Sequence, residues 1–236
     1  MAQIIVENLT KSFEAEVKGT EKLVLKGVNA SFEEKEISVI LGRSGVGKTV
    51  LLRIMAGLLS PTSGKVTFSD GLKAGFVFQE PRLMPWLNVW DNVNFGLEIS
   101  QIDRQKTQDI IDLVALTGHE ASFPSDLSGG MAHRVALARM LISRPKLIFM
   151  DEPFSDLDYF TRAMLQKELL RIKKETEMGV IFVTHNLDEA VRIADNVYIM
   201  KDGVITKKFC VHLTPEERDS YSMKALEIKN EILKNL

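Results

Sequence analysis

Residues 42–49 read Gly42-Arg43-Ser44-Gly45-Val46-Gly47-Lys48-Thr49, a G-x-x-x-x-G-K-[ST] octapeptide, and no other stretch of the chain limits the fold as tightly. The apolar run Glu36-Ile37-Ser38-Val39-Ile40-Leu41 before it has strand character. Val50 to Leu58 after it has helical apolar spacing and leads to Ser60-Pro61. Strand, glycine loop and helix in that order make a phosphate cradle. The glycines let the backbone turn tightly with its N–H groups inward, and the helix start adds a field that favours negative charge. Lys48 is placed to reach the outer phosphates of a triphosphate. Thr49 is placed to offer its hydroxyl to Mg²⁺, which prefers hard oxygen ligands.

A second apolar strand, Pro145 to Met150, runs directly into Asp151-Glu152-Pro153. Ligands of open parallel sheets bind beyond the carboxyl ends of the strands, so this acidic pair stands beside the loop after Leu41 if the two strands are neighbours. Asp151 then serves the Mg²⁺ shell, and Glu152 is set to orient or deprotonate a water for in-line attack. A third signal is Asp126-Leu127-Ser128-Gly129-Gly130-Met131, followed by a helical pattern through Val135, Leu137, Ala138 and Leu141. The Ser128 hydroxyl and the amides of Gly129 and Gly130 at that helix start form a second anion site. Two separate phosphate-binding helix ends suggest that each site is completed by another copy of the chain.

Composition sets outer bounds. With 236 residues and 45% hydrophobic content the chain can bury a real core, as one large domain or two small ones. A net charge of -2 argues against a nucleic-acid partner. The single cysteine, Cys210, excludes an internal disulfide and any cysteine-rich metal site. No apolar stretch is long enough to cross a bilayer, and Met1 to Asn8 lacks the form of a signal peptide, so a cytoplasmic chain is expected. His119, His133 and His212 have no motif setting and read as surface or core residues.

Taken in order, these motifs resemble the ATP-binding subunit of an ABC transporter, and the resemblance spans nearly the whole chain. The Walker A loop is Gly42 to Thr49, the Q-loop glutamine is Gln79, and the signature is Leu127-Ser128-Gly129-Gly130-Met131. Walker B is Leu147 to Asp151 with Glu152 next. The D-loop is Ser155-Asp156-Leu157-Asp158, and the switch histidine is His185 after Val183-Thr184. The resemblance implies an α/β fold: a P-loop NTPase (RecA-like) core with an N-terminal antiparallel β region and an inserted helical subdomain. The ATP-binding domain covers 1–212, with the helical insertion at about 80–141, and a helical tail covers 213–236.

The same resemblance implies site roles. Glu152, His185, Gln79 and Lys48 are the catalytic set. ATP is held by Phe13 stacked on adenine, by Gly42, Arg43, Ser44, Gly45, Val46, Gly47, Lys48, Thr49 and Val50, and by Gln79 and Asp151. Ser128, Gly129 and Gly130 come from a second copy, and Asp158 couples the paired sites. Mg²⁺ falls to Thr49, Gln79 and Asp151. Partners are a second copy in a head-to-tail, ATP-dependent homodimer, transmembrane permease subunits and, through them, a solute-binding protein. The location implied is the inner face of the cell membrane.

Departures from the family pattern are Val50 for a threonine, Met131 for the glutamine that ends the signature, and His133 for another glutamine. Anion-binding Ser128, Gly129 and Gly130 remain intact. The runs Phe78 to Trp86 and Pro153 to Asp158, with Thr161-Arg162, resemble the nitrate, sulfonate, taurine and bicarbonate importer group. The Leu-Ser-Gly-Gly-Met signature also occurs in lipid-trafficking and export systems. A chromosome-organising ATPase needs a long heptad insertion, and none separates Walker A from the signature. A regulatory module that binds ATP without hydrolysis fits poorly with Glu152 and His185. The apolar, proline-broken stretch Pro81 to Leu87 suits either a groove for a partner's helix or a core of the helical region.

Overall fold

A computed structural model describes residues 2–14, 21–69, 72–155, 157–219 and 222–236. Its strands are β1 (Ala2–Glu14), β2 (Glu21–Glu33), β3 (Ile37–Leu41), β4 (Ser63–Phe68), β5 (Ala74–Val77), β6 (Leu147–Asp151), β7 (Gly179–Thr184), β8 (Asn196–Lys201) and β9 (Val204–Cys210). Its helices are α1 (Lys48–Met55), α2 (Val89–Asn94), α3 (Arg104–Leu113), α4 (Gly129–Leu141), α5 (Tyr159–Thr176), α6 (Leu187–Ile193), α7 (Pro215–Asp219) and α8 (Met223–Leu233). The chain divides into two compact units: residues 1–74, 146–152 and 178–236, and residues 75–145 and 153–177.

In the first unit, β3, β6 and β7 are buried at every position, the pattern of strands covered on both faces. They lie in the order β6-β7-β3-β8-β9, with β6–β7, β7–β3 and β3–β8 parallel and β9 antiparallel to β8. The strand that ends in Asp151 is therefore not the neighbour of the strand that ends at Leu41. β7 lies between them, pairing Leu41 with Thr184 on one side and Asp151 with Val183 on the other. This corrects the adjacency expected from sequence, because strand order in a parallel sheet is set by crossovers that the local pattern does not record.

A second sheet of this unit, ordered β2-β1-β4, is antiparallel throughout. The Tyr198 hydroxyl of β8 donates to Ser31 O at 2.6 Å, and its ring lies 4.7 Å from that of Phe32 on β2, tying the two sheets together. Gly42 leaves β3 so close to β8 that a Cβ would stand 2.3 Å from Met200 O. The C-terminal tail docks within this same unit. Ala225 and Ile232 of α8 are buried, and Arg218 of α7 donates to Arg192 O and to Asp195 at 3.0 and 3.2 Å. No helix among the described residues is long and apolar enough to cross a membrane.

The second unit carries α2, α3, α4 and α5, with short 3-10 turns at Ile99–Gln101 and Pro124–Asp126. In 88–97 and 107–116 the apolar residues recur at three and four positions, the spacing of helices, and these stretches form α2 and α3 with shifted ends. Asn88 caps α2 by accepting from Asp91 N, and Asp103 caps α3 by accepting from Gln105 N and Lys106 N, which starts α3 earlier than its apolar pattern. Gly96 and Ala115 take positive φ just beyond each helix. Val93, Ile111, Val114, Val135, Leu165 and Leu169 make the core of this unit.

Phe182 is fully buried at the middle of β7, between the two strands that carry the loop and the acidic pair. Phe182→Ala should destabilise the chain by about 3–5 kcal/mol, read from the midpoint of urea unfolding.

Candidate functional site

In the first unit the octapeptide arcs from β3 into α1. Gly45 and Gly47 hold φ of 82° and 107°, in the left-handed region that side chains resist. Gly47 is the N-cap of α1 and has no side chain to cap it, so the first-turn amides face the loop rather than a capping group. An anion fits that cradle. Lys48 is buried, its ammonium donating to Gly42 O and Arg43 O at 3.0 Å each. Those two carbonyls bend the side chain back over the loop.

The acidic pair reaches this loop despite the intervening strand. Thr49 Oγ1 donates to Asp151 Oδ1 at 2.7 Å, and Arg53, one turn further along α1, places its guanidinium 3.5 Å from Asp151 Oδ2. Glu152 Oε1 lies 3.4 Å from Lys48 Nζ, while Oε2 accepts from His185 Nδ1 at 2.7 Å. Lys48, Thr49, Asp151, Glu152 and His185 therefore form one connected group. Glu152 holds φ 43° immediately before Pro153, a backbone position that its own Cβ and the following proline both disfavour. Its amide donates to Val183 O at 3.1 Å, which helps anchor this turn. Thr49 and Asp151 offer contacting hard oxygens, a donor set that suits Mg²⁺. Phe13 stands near the end of β1, partly exposed, with Lys11 Nζ 5.0 Å from its ring centroid.

The remaining expected residues lie in the second unit. Ser128 is the N-cap of α4 and accepts from Met131 N at 3.3 Å, which leaves its hydroxyl proton available to a ligand. A Cβ on Gly130 would stand 2.6 Å from Thr161 Cγ2, so packing against α5 accounts for this glycine. Gln79 is exposed and its amide donates to Ser155 Oγ at 3.1 Å. Asp158 caps α5. The Thr161 hydroxyl, with the amides of Thr161 and Phe160, holds its carboxyl below the ordinary carboxylate range. Asp156 of the expected D-loop lies outside the described residues.

The ABC transporter family profile matches residues 25–155. This chain belongs to that family. An uncharacterized ABC transporter ATP-binding protein of Methanocaldococcus jannaschii is 43% identical over 98% of this chain and 93% of its own length. The aliphatic sulfonates import ATP-binding protein SsuB of Corynebacterium glutamicum is 40% identical, over 94% of this chain and 92% of its own. Among solved structures, a dimeric ATP-binding cassette in a post-hydrolysis state bound to ADP and Pi has a TM-score of 0.77 and 28% identity, covering 89% of this chain and all of that one.

Several residues of this ABC chain escaped the sequence reading. Arg53 sits four residues after Thr49 on one helix face, a spacing that could have flagged it. Asn92 is fully buried: its oxygen accepts from Met84 N at 2.8 Å, and its amide donates to Met84 O, Leu87 O and Asn88 O. Arg139 of α4 donates to Pro81 O and Arg82 O at 3.0 and 2.9 Å, and burial lowers the pKa of its guanidinium. His133, expected as a surface or core residue, is buried and also meets Gly129 O and Gln79 O. No motif spacing marks Asn92 or Arg139, because their partners are backbone groups of an irregular loop, while His133 stands where the family pattern has a glutamine.

The loop 81–88 is thus held by polar side chains rather than by regular structure. Asn92→Leu would leave the Met84 amide and the Leu87 carbonyl without their partner, while Met84 O and Asn88 O keep backbone donors. It should cost at least about 2 kcal/mol of stability and speed proteolysis between residues 81 and 88, measured by urea unfolding and limited digestion.

Proposed function

We propose that the chain is the ATP-hydrolysing subunit of an ABC importer for small organic anions. The observation that carries this reading is the connected group Lys48, Thr49, Asp151, Glu152 and His185 at the glycine loop. The named function of SsuB, and that of a 40% identical taurine import ATP-binding protein of Pelagibacter ubique covering 89% of this chain, support the sulfonate class of cargo.

The triphosphate lies along the loop amides from Ser44 to Val50, with Lys48 on the outer phosphates and Phe13 beside the base. Thr49 and Asp151 would hold Mg²⁺, joined by Gln79 as the family resemblance implies, and the ion would spread the charge of the phosphate oxygens. Glu152 is held by Lys48 and His185. Phosphate oxygens compete for those same two partners, so substrate entry frees the carboxylate. Glu152 then takes a proton from the attacking water as its oxygen bonds phosphorus and the bond to the ADP oxygen breaks. Lys48 and His185 meanwhile face the charged phosphoryl group.

Ser128, Gly129 and Gly130 of a second copy cover the terminal phosphate in a head-to-tail pair, with Asp158 near the shared boundary. The dimeric form of the similar cassette supports this arrangement. The helical unit engages transmembrane permease subunits, which places the chain on the inner face of the membrane. A solute-binding protein delivers cargo on the far side.

Glu152→Gln keeps the side chain's shape but removes the base. Phosphate release should fall roughly 10²- to 10⁴-fold while ATP-loaded dimers accumulate in gel filtration; undiminished release would show that Glu152 is not the base. In a covalently linked pair, Ser128→Ala in one copy should impair the site whose loop lies on the other copy. A defect confined to its own loop, followed by site-specific photolabelling with an ATP analogue, counts against sharing between copies.

A further inference from the structure

His133 is buried on the first turns of α4, and its ring nitrogens each meet a backbone carbonyl. Nδ1 lies 2.8 Å from Gly129 O, in the signature turn, and Nε2 lies 3.1 Å from Gln79 O. A neutral ring donates to one of these oxygens and a charged ring to both, and in either form the rigid imidazole spans them. Gln79 in turn donates its side-chain amide to Ser155 Oγ at 3.1 Å. Arg162 holds the same D-loop segment through Phe154 O, Ser155 O and Leu157 O at 3.2, 3.3 and 2.8 Å. Gly129, His133, Gln79 and Ser155 thus form a continuous polar chain within one unit.

We propose that His133 is a positioning residue that fixes Gln79, which serves its own copy's nucleotide, to the first turn of the signature helix, which serves the other copy's, so that the two move as one piece. The proposal rests on the ATPase reading above for its catalytic consequence, though not for its geometry. Gln79 is exposed and follows a short strand, so water competes for its backbone carbonyl wherever the ring is absent. Arg139 grips the loop only from Pro81 onward. His133 is therefore the side chain that sets the backbone at position 79 itself. A glutamine at 133 carries its donors on one nitrogen, whereas the imidazole carries nitrogens on opposite edges of a ring, so His133 suits a bridge between two acceptors.

The test uses the full chain as wild type, H133A, H133Q, Q79A and the double variant Q79A/H133A. Two readouts are taken: steady-state phosphate release against ATP concentration, and amide hydrogen exchange over 78–86 and 126–134 without nucleotide. H133A should lower kcat roughly ten- to a hundredfold through misplacement of Gln79, with KM for ATP changed much less. H133Q should fall between H133A and wild type. In the Q79A background H133A should add less than about twofold, since the side chain it orients is already gone. Exchange over 78–86 should quicken in H133A.

Equal and additive losses in the two backgrounds would reduce His133 to a packing residue and overturn the proposal. So would unchanged exchange over 78–86. If wild type releases no phosphate, the ATPase reading fails alone, and the exchange measurement still decides for or against the bridge. Should H133A not fold, H133Q against wild type carries both readouts, and identity of the two in kcat and exchange overturns the proposal.

Discussion

The hydrogen bond from Thr49 to Asp151 closes the loop of β3 onto the end of β6 across an intervening strand, and the rest of the site is arranged around that closure. It is possible because the parallel strands β3, β7 and β6 end at one edge, and because α1 leaves the loop along that edge rather than away from it. The intervening strand does not separate the groups. It delivers His185 between them, so the spacing of three strand ends becomes a row of loop, His185 and acidic turn. Asp151 sits at the close of this row with both carboxylate oxygens engaged, one by Thr49 and one by Arg53.

Glu152 is fixed by backbone and charge together. Its backbone is in the left-handed region before a proline, and its carboxylate is shared between Lys48 and His185. A buried ammonium without a counter-charge is costly, and the Glu152 carboxylate supplies that charge to Lys48. Lys48 and His185 together engage both oxygens of that carboxylate. Strain and charge pairing act together here: the turn aims the side chain, and the ion pair holds it.

The second unit solves a different problem. An irregular run from Gln79 to Asn88 must keep one shape without ladder hydrogen bonds, and buried backbone polar groups must find partners somewhere. His133 and Arg139 on α4, with Asn92 on α2, supply them. The helix that begins with the signature is thereby also the helix that shapes the Q-loop. A substitution on its inner face acts on both.

Much was legible from residues alone wherever chemistry is local in sequence. The octapeptide, the acidic pair after an apolar strand, and Ser128 as a helix cap follow from spacing within a few residues, and each stands where its motif implied. Local pattern also foretold α2 and α3, with only their ends shifted by Asn88, Asp103 and Ala115. What sequence could not supply was the order of strands, the insertion of β7 between β3 and β6, and the capture of Gln79 by His133 fifty-four positions away. Periodicity reports which face of an element is buried but not which partner buries it. Crossover topology and side-chain reach onto another segment's backbone exist only once the chain is packed.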